Sequence, residues 1–159
     1  MDGTIRITAL ACAILATSSC TASHAKDRYQ TADATIAEYR DETKRLTLAP
    51  GWHWPTDLSK DFPSQAEDRK QILYEVNRGR VGASLYWHCS WARTLLSSDS
   101  SKHEEARAQV KLIRESALFK WGLAGKEKSY WERLLGELDN GATDEYKKMI
   151  DTNCPGSSA

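Results

Sequence analysis

The chain has 159 residues, equal numbers of basic and acidic side chains, and a hydrophobic content of 40%. This length suits one domain with a substantial core. Nucleic-acid binding needs a concentrated excess of Lys and Arg, so the balanced charge argues against a nucleic-acid partner. The basic pairs Lys44–Arg45 and Lys147–Lys148 lie among carboxylates and indicate solvated helix faces.

The N-terminus has the pattern of an export signal. Arg6 precedes an apolar run from Ile7 to Ala16, which is long enough for a signal peptide and too short to span a bilayer. Small residues ending at Ala25 fit a cleavage site, which would make residues 1–25 the signal peptide. A buried N-terminal helix is the alternative to an export signal.

Lipidation of Cys20 is a second processing outcome, in which residues 1–19 are the signal. The residues from Ala16 to Cys20 resemble a bacterial lipobox, although Thr17 stands where leucine is usual. Both outcomes place the protein outside the cytoplasm, either secreted or lipid-anchored at the cell envelope. We therefore expect membrane contact only through such an anchor.

The cysteines predict one disulfide. Cys12 lies in the apolar run and Cys20 is either removed or lipidated, so Cys89 and Cys154 are left as a pair in an oxidising compartment. A bridge between them would close a loop of about 65 residues and stabilise the fold by roughly 4 kcal/mol in the chain-entropy model. Two unpaired buried thiols are the alternative.

The first helix is predicted from about Thr31 to Leu46, after a short polar tether. Ala32, Ile36 and Tyr39 form an apolar stripe at helical spacing, and the remaining positions are largely charged. The helix is expected to end before Pro50, because proline and glycine follow one another there.

The loop after this helix carries Trp52, His53 and Trp54 between two prolines, and prolines forbid regular structure. Exposed tryptophans are unusual, so the pair needs a reason. In one interpretation they fold back to cap the helices. In the other, the loop offers flat rings to a sugar, a peptide or a lipid headgroup, with His53 as a hydrogen-bonding partner.

The stretch from Ser64 to Glu67 matches a capping box and predicts a helix with Ile72, Leu73 and Val76 facing inward. The segment from Asn77 to Gly82 contains two glycines, and we favour a break or kink there. The alternative is a continuous helix whose glycines let another backbone pack closely.

A core helix is predicted from about Ala83 to Ser97. Its apolar residues cover roughly 200° of the circumference, which is too wide for a surface helix. Trp87 and Trp91 are accordingly expected in the core. His88 lies near the middle of the apolar arc, where a buried imidazole needs a hydrogen bond.

Two interpretations of His88 remain open. It is either a neutral core histidine bonded to a backbone carbonyl or a tyrosine, or a general base or ligand contact in a pocket between helices. A base would need a carboxylate from another helix, and the candidates are Glu75, Glu115 and Glu132.

Three further helices are predicted. One follows the capping box Ser101–Glu104 and runs to about Lys120, with a single apolar face that includes Trp121. The next carries Trp131 and three leucines and ends at Asn140–Gly141. Thr143 is expected to cap the last helix, which Cys154–Pro155 terminates and a loose tail follows.

These elements predict an all-α fold, a compact bundle of about five or six helices with one disulfide, because no stretch alternates with period two for long enough to form a strand. After the signal, residues 26–159 form a single helical domain. No catalytic or metal-binding signature is complete, so no catalytic residue, metal site or cofactor is expected.

The run from Tyr86 to Trp91, with the Trp-Pro segment before it, resembles small exported actinobacterial proteins of unknown function. These carry an aromatic-Cys-small-Trp helix after a Trp-Pro segment. The resemblance covers about residues 51–96. It implies export and a helical fold with a single disulfide, and it transfers no activity.

The sequence thus predicts an exported helical domain that acts at the cell envelope by binding, without catalysis. Its partner would be an envelope protein, a glycan or a small ligand. The alternatives are a small envelope enzyme with a histidine general base, and a metal-binding lipoprotein that uses His53, His103 and carboxylates. The candidate binding residues are Trp52, His53, Trp54 and His88.

Overall fold

The computed structural model describes residues 28–154, so the predicted signal segment, Cys20 and the predicted C-terminal tail lie outside the described residues. The predicted all-α fold with one disulfide is confirmed. The α-helices of the described range are α1 (Ala32–Thr43), α2 (Arg78–Leu95), α3 (His103–Lys111), α4 (Gly125–Asp139) and α5 (Asp144–Asn153).

A short β-ribbon was not expected from the sequence. Strand β1 (Tyr29–Gln30) pairs antiparallel with β2 (Tyr74–Glu75), with Tyr29 opposite Glu75. Tyr29 and Gln30, which the sequence assigned to a polar tether, therefore join the fold. The pairing is only two residues long in each strand, which is too short to leave a period-two pattern in the sequence.

The helix predicted from Ser64 to Val76 is wrong. The segment turns back on itself, with the Ile72 amide donating to the Ser64 carbonyl at 3.0 Å and Arg69 at a φ of 64° in the turn. Ile72 and Tyr74 are half-buried, whereas Leu73 and Val76 are exposed. Packing of Tyr74 against Phe62, with ring centroids 5.7 Å apart, favours this extended arrangement over local helix formation.

Helix α2 is continuous through Gly79 and Gly82, so the favoured break there is also wrong. The structure shows the alternative, a continuous helix in which glycine lets another backbone pack closely. A Cβ on Gly79 would lie 2.0 Å from the Thr35 carbonyl oxygen, so only glycine allows the backbones of α1 and α2 to approach this closely.

The first turn of α2 is capped from α1. Asn77, at the N-cap, has a φ of 73° and makes no side-chain capping bond. Instead, the Glu38 carboxylate accepts from the amides of Asn77 at 2.9 Å and Gly79 at 3.2 Å. A carboxylate at a helix N-terminus satisfies free amides and complements the helix dipole.

The predicted central role of α2 is confirmed. Helices α1, α3 and α5 and the turn at residues 118–122 pack around it. Its buried side chains lie on nearly every side of the helix, which agrees with the wide apolar arc. They are Val81, Ala83, Ser84, Trp87, His88, Cys89, Ser90, Trp91, Ala92 and Leu95.

The helix predicted from Ser101 to Lys120 is interrupted. Asp99, rather than Ser101, caps a 3₁₀ turn over Ser100–Lys102 that leads into α3. A second 3₁₀ turn, Leu112–Glu115, follows α3, and Ser116 is extended. The Ser116 hydroxyl donates to the Ile113 carbonyl at 2.6 Å, which competes with continuation of the helix.

A π-helical turn, Leu118–Gly122, comes after this interruption. The break changes the direction in which later side chains point. Val110 and Ile113 are buried as predicted, but Trp121 is 56% exposed instead of lying on the inward face.

The last two helices agree with the sequence pattern. Trp131 and the leucines of α4 are buried, and Gly141, with a φ of 79°, follows its C-cap. In α5, Tyr146, Met149 and Ile150 are buried as expected. Thr143 is the N-cap residue, although its side chain makes no capping bond.

The predicted Cys89–Cys154 disulfide is present, with the two Cα atoms 5.4 Å apart. It joins the middle of α2 to the end of α5. Arg93 reinforces this connection, because its guanidinium donates to the Cys154 carbonyl at 3.3 Å and pairs with Asp151. No helix within residues 28–154 is long and apolar enough to cross a membrane.

The Gly79→Ala variant is expected to lower the free energy of unfolding by about 2 kcal/mol or more, because its methyl group meets backbone atoms that cannot move aside. The matched control is Gly136→Ala in α4, where nothing lies within 4 Å of the added Cβ. This control should gain roughly 0.5–1 kcal/mol from helix propensity. Urea unfolding measures both variants, and equal effects would contradict the close-approach role of Gly79.

Replacing Cys89 and Cys154 together with alanine is expected to lower the free energy of unfolding by roughly 2–5 kcal/mol, since the unfolded chain loses its constraint. Urea unfolding of the variant and of reduced wild-type protein should agree. Peptide mapping without reductant should recover the fragments that contain Cys89 and Cys154 as one linked species. Alkylation of Cys89 in unreduced protein would be inconsistent with the bridge.

Candidate functional site

The loop Thr47–Pro55, here named the aromatic loop, is held by side chains of α2. Ser90 Oγ accepts from the Ala49 amide at 3.1 Å, and Trp91 Nε1 donates to the Thr47 carbonyl at 2.9 Å. The Tyr86 hydroxyl donates to the His53 carbonyl at 2.8 Å. Backbone groups of an irregular loop are thus satisfied by a rigid helix, which fixes the loop conformation.

Trp52 and Trp54 both pack against Tyr86. The ring centroids are 5.8 Å apart for Trp52 and 5.5 Å for Trp54, and Trp54 also meets Tyr39 edge-on at 5.9 Å. Both indoles are half-buried. The interpretation that the tryptophans fold back onto the helices is confirmed, and each ring keeps an accessible part.

The aromatic loop borders an open cleft of about 560 Å³ at the end of α2. Besides the indole of Trp52, the cleft offers hydroxyl, carboxylate and cationic groups. Such a mixture of one flat apolar surface with several polar groups is typical of sites for polar small ligands. The lining residues are Pro50, Trp52, Arg93, Thr94, Ser97, Asp99 and Lys102.

The two hydroxyls in this cleft can still accept hydrogen bonds. Thr94 donates to the Ser90 carbonyl at 3.0 Å and Ser97 donates to the Thr94 carbonyl at 2.8 Å. Because a hydroxyl has one proton and two lone pairs, both oxygens keep acceptor capacity for a ligand donor.

Arg93, Asp99 and Lys102 supply the charges of the cleft. Arg93 pairs with Asp151, and the side chains of Asp99 and Lys102 form an exposed ion pair at 3.6 Å. Hydrogen bonds from the Ser101 hydroxyl and amide hold the pKa of Asp99 below its usual range. The carboxylate is therefore ionised at neutral pH and acts as an acceptor.

A second cleft of about 370 Å³ lies on the other side of the loop and is lined mainly by rings and apolar groups. Tyr39, Phe62 and Tyr86 contribute its aromatic surface, and Asp61 and Arg78 its charges. Burial raises the pKa of Tyr39, so its hydroxyl stays protonated. This cleft offers fewer polar groups to a ligand than the one beside Trp52.

The structure separates the four predicted binding residues. Trp52, His53 and Trp54 share the aromatic loop, whereas His88 lies in the core with no exposed surface. His53 is exposed, and its ring makes no hydrogen bond to any residue in the 28–154 range. A binding site that combines the loop with His88 is therefore not formed.

His88 is the neutral core histidine of the first interpretation. Its Nε2 lies 2.8 Å from the Tyr146 hydroxyl, and the Trp131 ring packs against it with centroids 5.0 Å apart. Burial lowers the pKa of His88 to about 3 and raises that of Tyr146. The expected hydrogen bond to a tyrosine is confirmed.

The general-base interpretation of His88 is not supported by this geometry. Its Nδ1 has no partner within the described chain. Glu75, Glu115 and Glu132 are exposed, and Glu132 pairs with Arg114 at 2.8 Å. A buried imidazole without a carboxylate and without a route to solvent lacks both the orienting group and the substrate access that a base requires.

No group of three or more His, Cys, Asp or Glu side chains within residues 28–154 is placed to hold a metal ion. His103, named in the metal-binding alternative, has its Nε2 2.9 Å from the Ser97 carbonyl.

No family model, curated protein or solved structure matches the chain. The geometry of the cleft beside Trp52 is therefore the basis for a functional proposal. The sequence interpretation found the indole but missed the polar residues Thr94, Ser97, Asp99 and Lys102. It placed Thr94 and Ser97 in the predicted core helix and Lys102 in the capping box Ser101–Glu104. Thr94 and Ser97 are three positions apart, so a helix would place them side by side on one face, and this spacing was the available signal for the polar side of the cleft.

Acid should destabilise the protein through His88. The unfolded imidazole takes up a proton near pH 6.5, whereas the folded one does so only near pH 3. Between these values the unfolded state binds more protons, so stability falls as the pH falls, by up to about 1.4 kcal/mol per pH unit. Urea unfolding at several pH values measures this slope.

The variant His88→Gln is expected to flatten that slope, and His53→Gln, which removes an exposed imidazole, is the matched control and should retain it. NMR titration of the wild-type imidazole gives an independent measurement. A His88 ring that titrates near pH 6.5 in the folded protein would contradict this account.

Proposed function

We propose that this protein is an exported, non-enzymatic binding domain of the cell envelope that holds a carbohydrate in the cleft beside Trp52. The observation that carries the proposal is the pairing of an accessible indole with hydroxyl, carboxylate and ammonium groups in one cleft of about 560 Å³. A sugar ring has an apolar face that stacks on an indole and hydroxyl groups that bond to such polar neighbours.

The cleft is preorganised, which supports a binding role. Three hydrogen bonds between α2 and the aromatic loop fix the loop, and the Trp52 ring packs against Tyr86. A ligand would therefore bind without ordering a flexible loop, so less conformational entropy is lost on association.

Export is supported by the disulfide and by the signal-like N-terminus. A buried Cys89–Cys154 bridge persists in an oxidising compartment. The apolar run from Ile7 to Ala16 has the length of a signal-peptide core. Whether residues 1–25 are cleaved or Cys20 is lipidated, the domain would be placed at the envelope, where glycans are abundant.

The enzyme alternative has less support, because neither His53 nor His88 has a carboxylate partner in an open cleft among residues 28–154. The metal-binding lipoprotein alternative would need His53, His103 and carboxylates to converge on one ion. A binding protein that stacks its ligand on Trp52 remains the proposal with the most direct geometric basis.

Substituting Trp52 with alanine is expected to weaken glycan binding by roughly tenfold or more, since a stacked aromatic surface is lost. The matched control is Trp121→Ala, which removes an exposed tryptophan outside the cleft and should leave affinity unchanged. Calorimetry with soluble peptidoglycan fragments and neutral oligosaccharides measures both variants.

Asp99→Asn tests the polar side of the same cleft and should also weaken binding, whereas Asp68→Asn, in the distant turn, should not. Absence of binding by every glycan tested, or equal loss in Trp52→Ala and Trp121→Ala, would reject the carbohydrate proposal. Hydrolytic turnover of a bound glycan would reject the non-enzymatic assignment.

A further inference from the structure

Exposed apolar side chains gather at the β-ribbon. Six large apolar side chains are exposed in the described range, and four of them lie on or beside the two strands. Tyr29 is 46% exposed, Leu73 53%, Val76 42% and Trp121 56%. We name these four residues the ribbon patch.

The strand pairing, a backbone hydrogen bond and a shared cleft connect the members of the ribbon patch. Tyr29 is opposite Glu75 in the ribbon. In the sequence, Glu75 is one residue before Val76 and two residues after Leu73. The Val76 amide donates to the Arg28 carbonyl at 3.0 Å. Val76 and Trp121 line the same small cleft of about 90 Å³. Exposed apolar groups clustered in this way indicate an interaction surface.

The surroundings of the ribbon patch are basic. Arg28, Arg78 and Lys120 are exposed next to it, and none of them forms an ion pair with a residue in the 28–154 range. Two carboxylates lie beside the patch. Glu75 is exposed in the ribbon, and Glu38 is half-buried with its oxygens bonded to the amides of Asn77 and Gly79. Three free cations around an apolar surface complement anionic headgroups better than a neutral protein surface.

The described part of the chain begins next to the patch. The described residues begin at Arg28, on the ribbon itself, and Cys20 lies eight positions earlier. An extended connection of that length spans at most roughly 28 Å. An anchor at Cys20, or at the apolar run before it, would therefore keep this face of the domain close to a bilayer.

We propose that the ribbon patch seats the anchored domain on an anionic phospholipid surface, with Trp121 and Tyr29 in the headgroup region. Tryptophan and tyrosine are enriched at that depth because their rings are apolar and their N–H and O–H groups remain hydrated. Arg28, Arg78 and Lys120, which form the basic rim of the patch, bind phosphate groups. The cleft beside Trp52 is formed by residues of the aromatic loop and the end of α2, so it does not share a residue with this surface.

The proposal rests on the envelope location proposed above, in its anchored form, and does not depend on a glycan ligand. Its test uses the full 159-residue chain with vesicles of phosphatidylcholine and phosphatidylglycerol that carry brominated acyl chains. Brominated lipids should quench tryptophan emission, and Trp121→Phe should remove most of that quenching. Trp52→Phe, the matched control, should leave it intact.

Vesicle partitioning gives a second measurement. The Val76→Ser, Trp121→Ser double variant should partition roughly tenfold less strongly than wild type. Leu112→Ser, which alters a leucine of similar exposure elsewhere on the surface, should partition like wild type. Higher salt should weaken partitioning, because the basic rim is exposed.

Three results would overturn the membrane-seating proposal. They are quenching that is equal in wild type and Trp121→Phe, partitioning unchanged in the double variant, and protection of Trp121 from aqueous iodide before vesicles are added. The last result would assign the patch to the N-terminal segment or to a second copy of the chain. Glycan binding by Trp121→Phe is measured in parallel, so failure here is distinguishable from failure of the proposed function.

Discussion

The structure depends on covering helix α2 on nearly every side. Its apolar arc is too wide for one neighbouring helix, so the remaining elements are arranged around it. Helix α1 crosses its first turn at Gly79, α3 packs along it, and α5 is joined to it by the disulfide. The aromatic loop covers part of the surface left between the helices, which places Trp52 and Trp54 against Tyr86.

The same helix links stability to the candidate site. Arg93 donates to the Cys154 carbonyl and also lines the cleft beside Trp52. Ser90 and Trp91 are buried, yet they fix the loop that presents the indole. Residues that hold the core together therefore also determine the shape of the cleft, and this coupling keeps the proposed binding surface rigid.

Several local features of the fold depend on side chains that are distant in sequence. Glu38 of α1 caps α2, and Tyr146 of α5 supplies the hydroxyl beside His88. The imidazole is fully buried, and this desolvation lowers its pKa and keeps it neutral, which assigns His88 to the core. The proposed functions consequently lie on two exposed surfaces, the cleft beside Trp52 and the ribbon patch, and neither uses the histidine that stood out in the sequence.

The sequence by itself determined the helical class, the disulfide pairing, the core role of α2 and the inward faces of α4 and α5. Each of these follows from apolar periodicity or from counting cysteines, which are local or compositional signals. Only the tertiary structure decided three other points. They are the extended segment after Ser64, the continuity of α2 through Gly79, and the exposure of Trp121. The reason is physical in each case, because packing of Tyr74 on Phe62 outweighs a capping-box pattern, close approach to Thr35 selects glycine, and the Ser116 hydroxyl interrupts a helix whose periodicity continues.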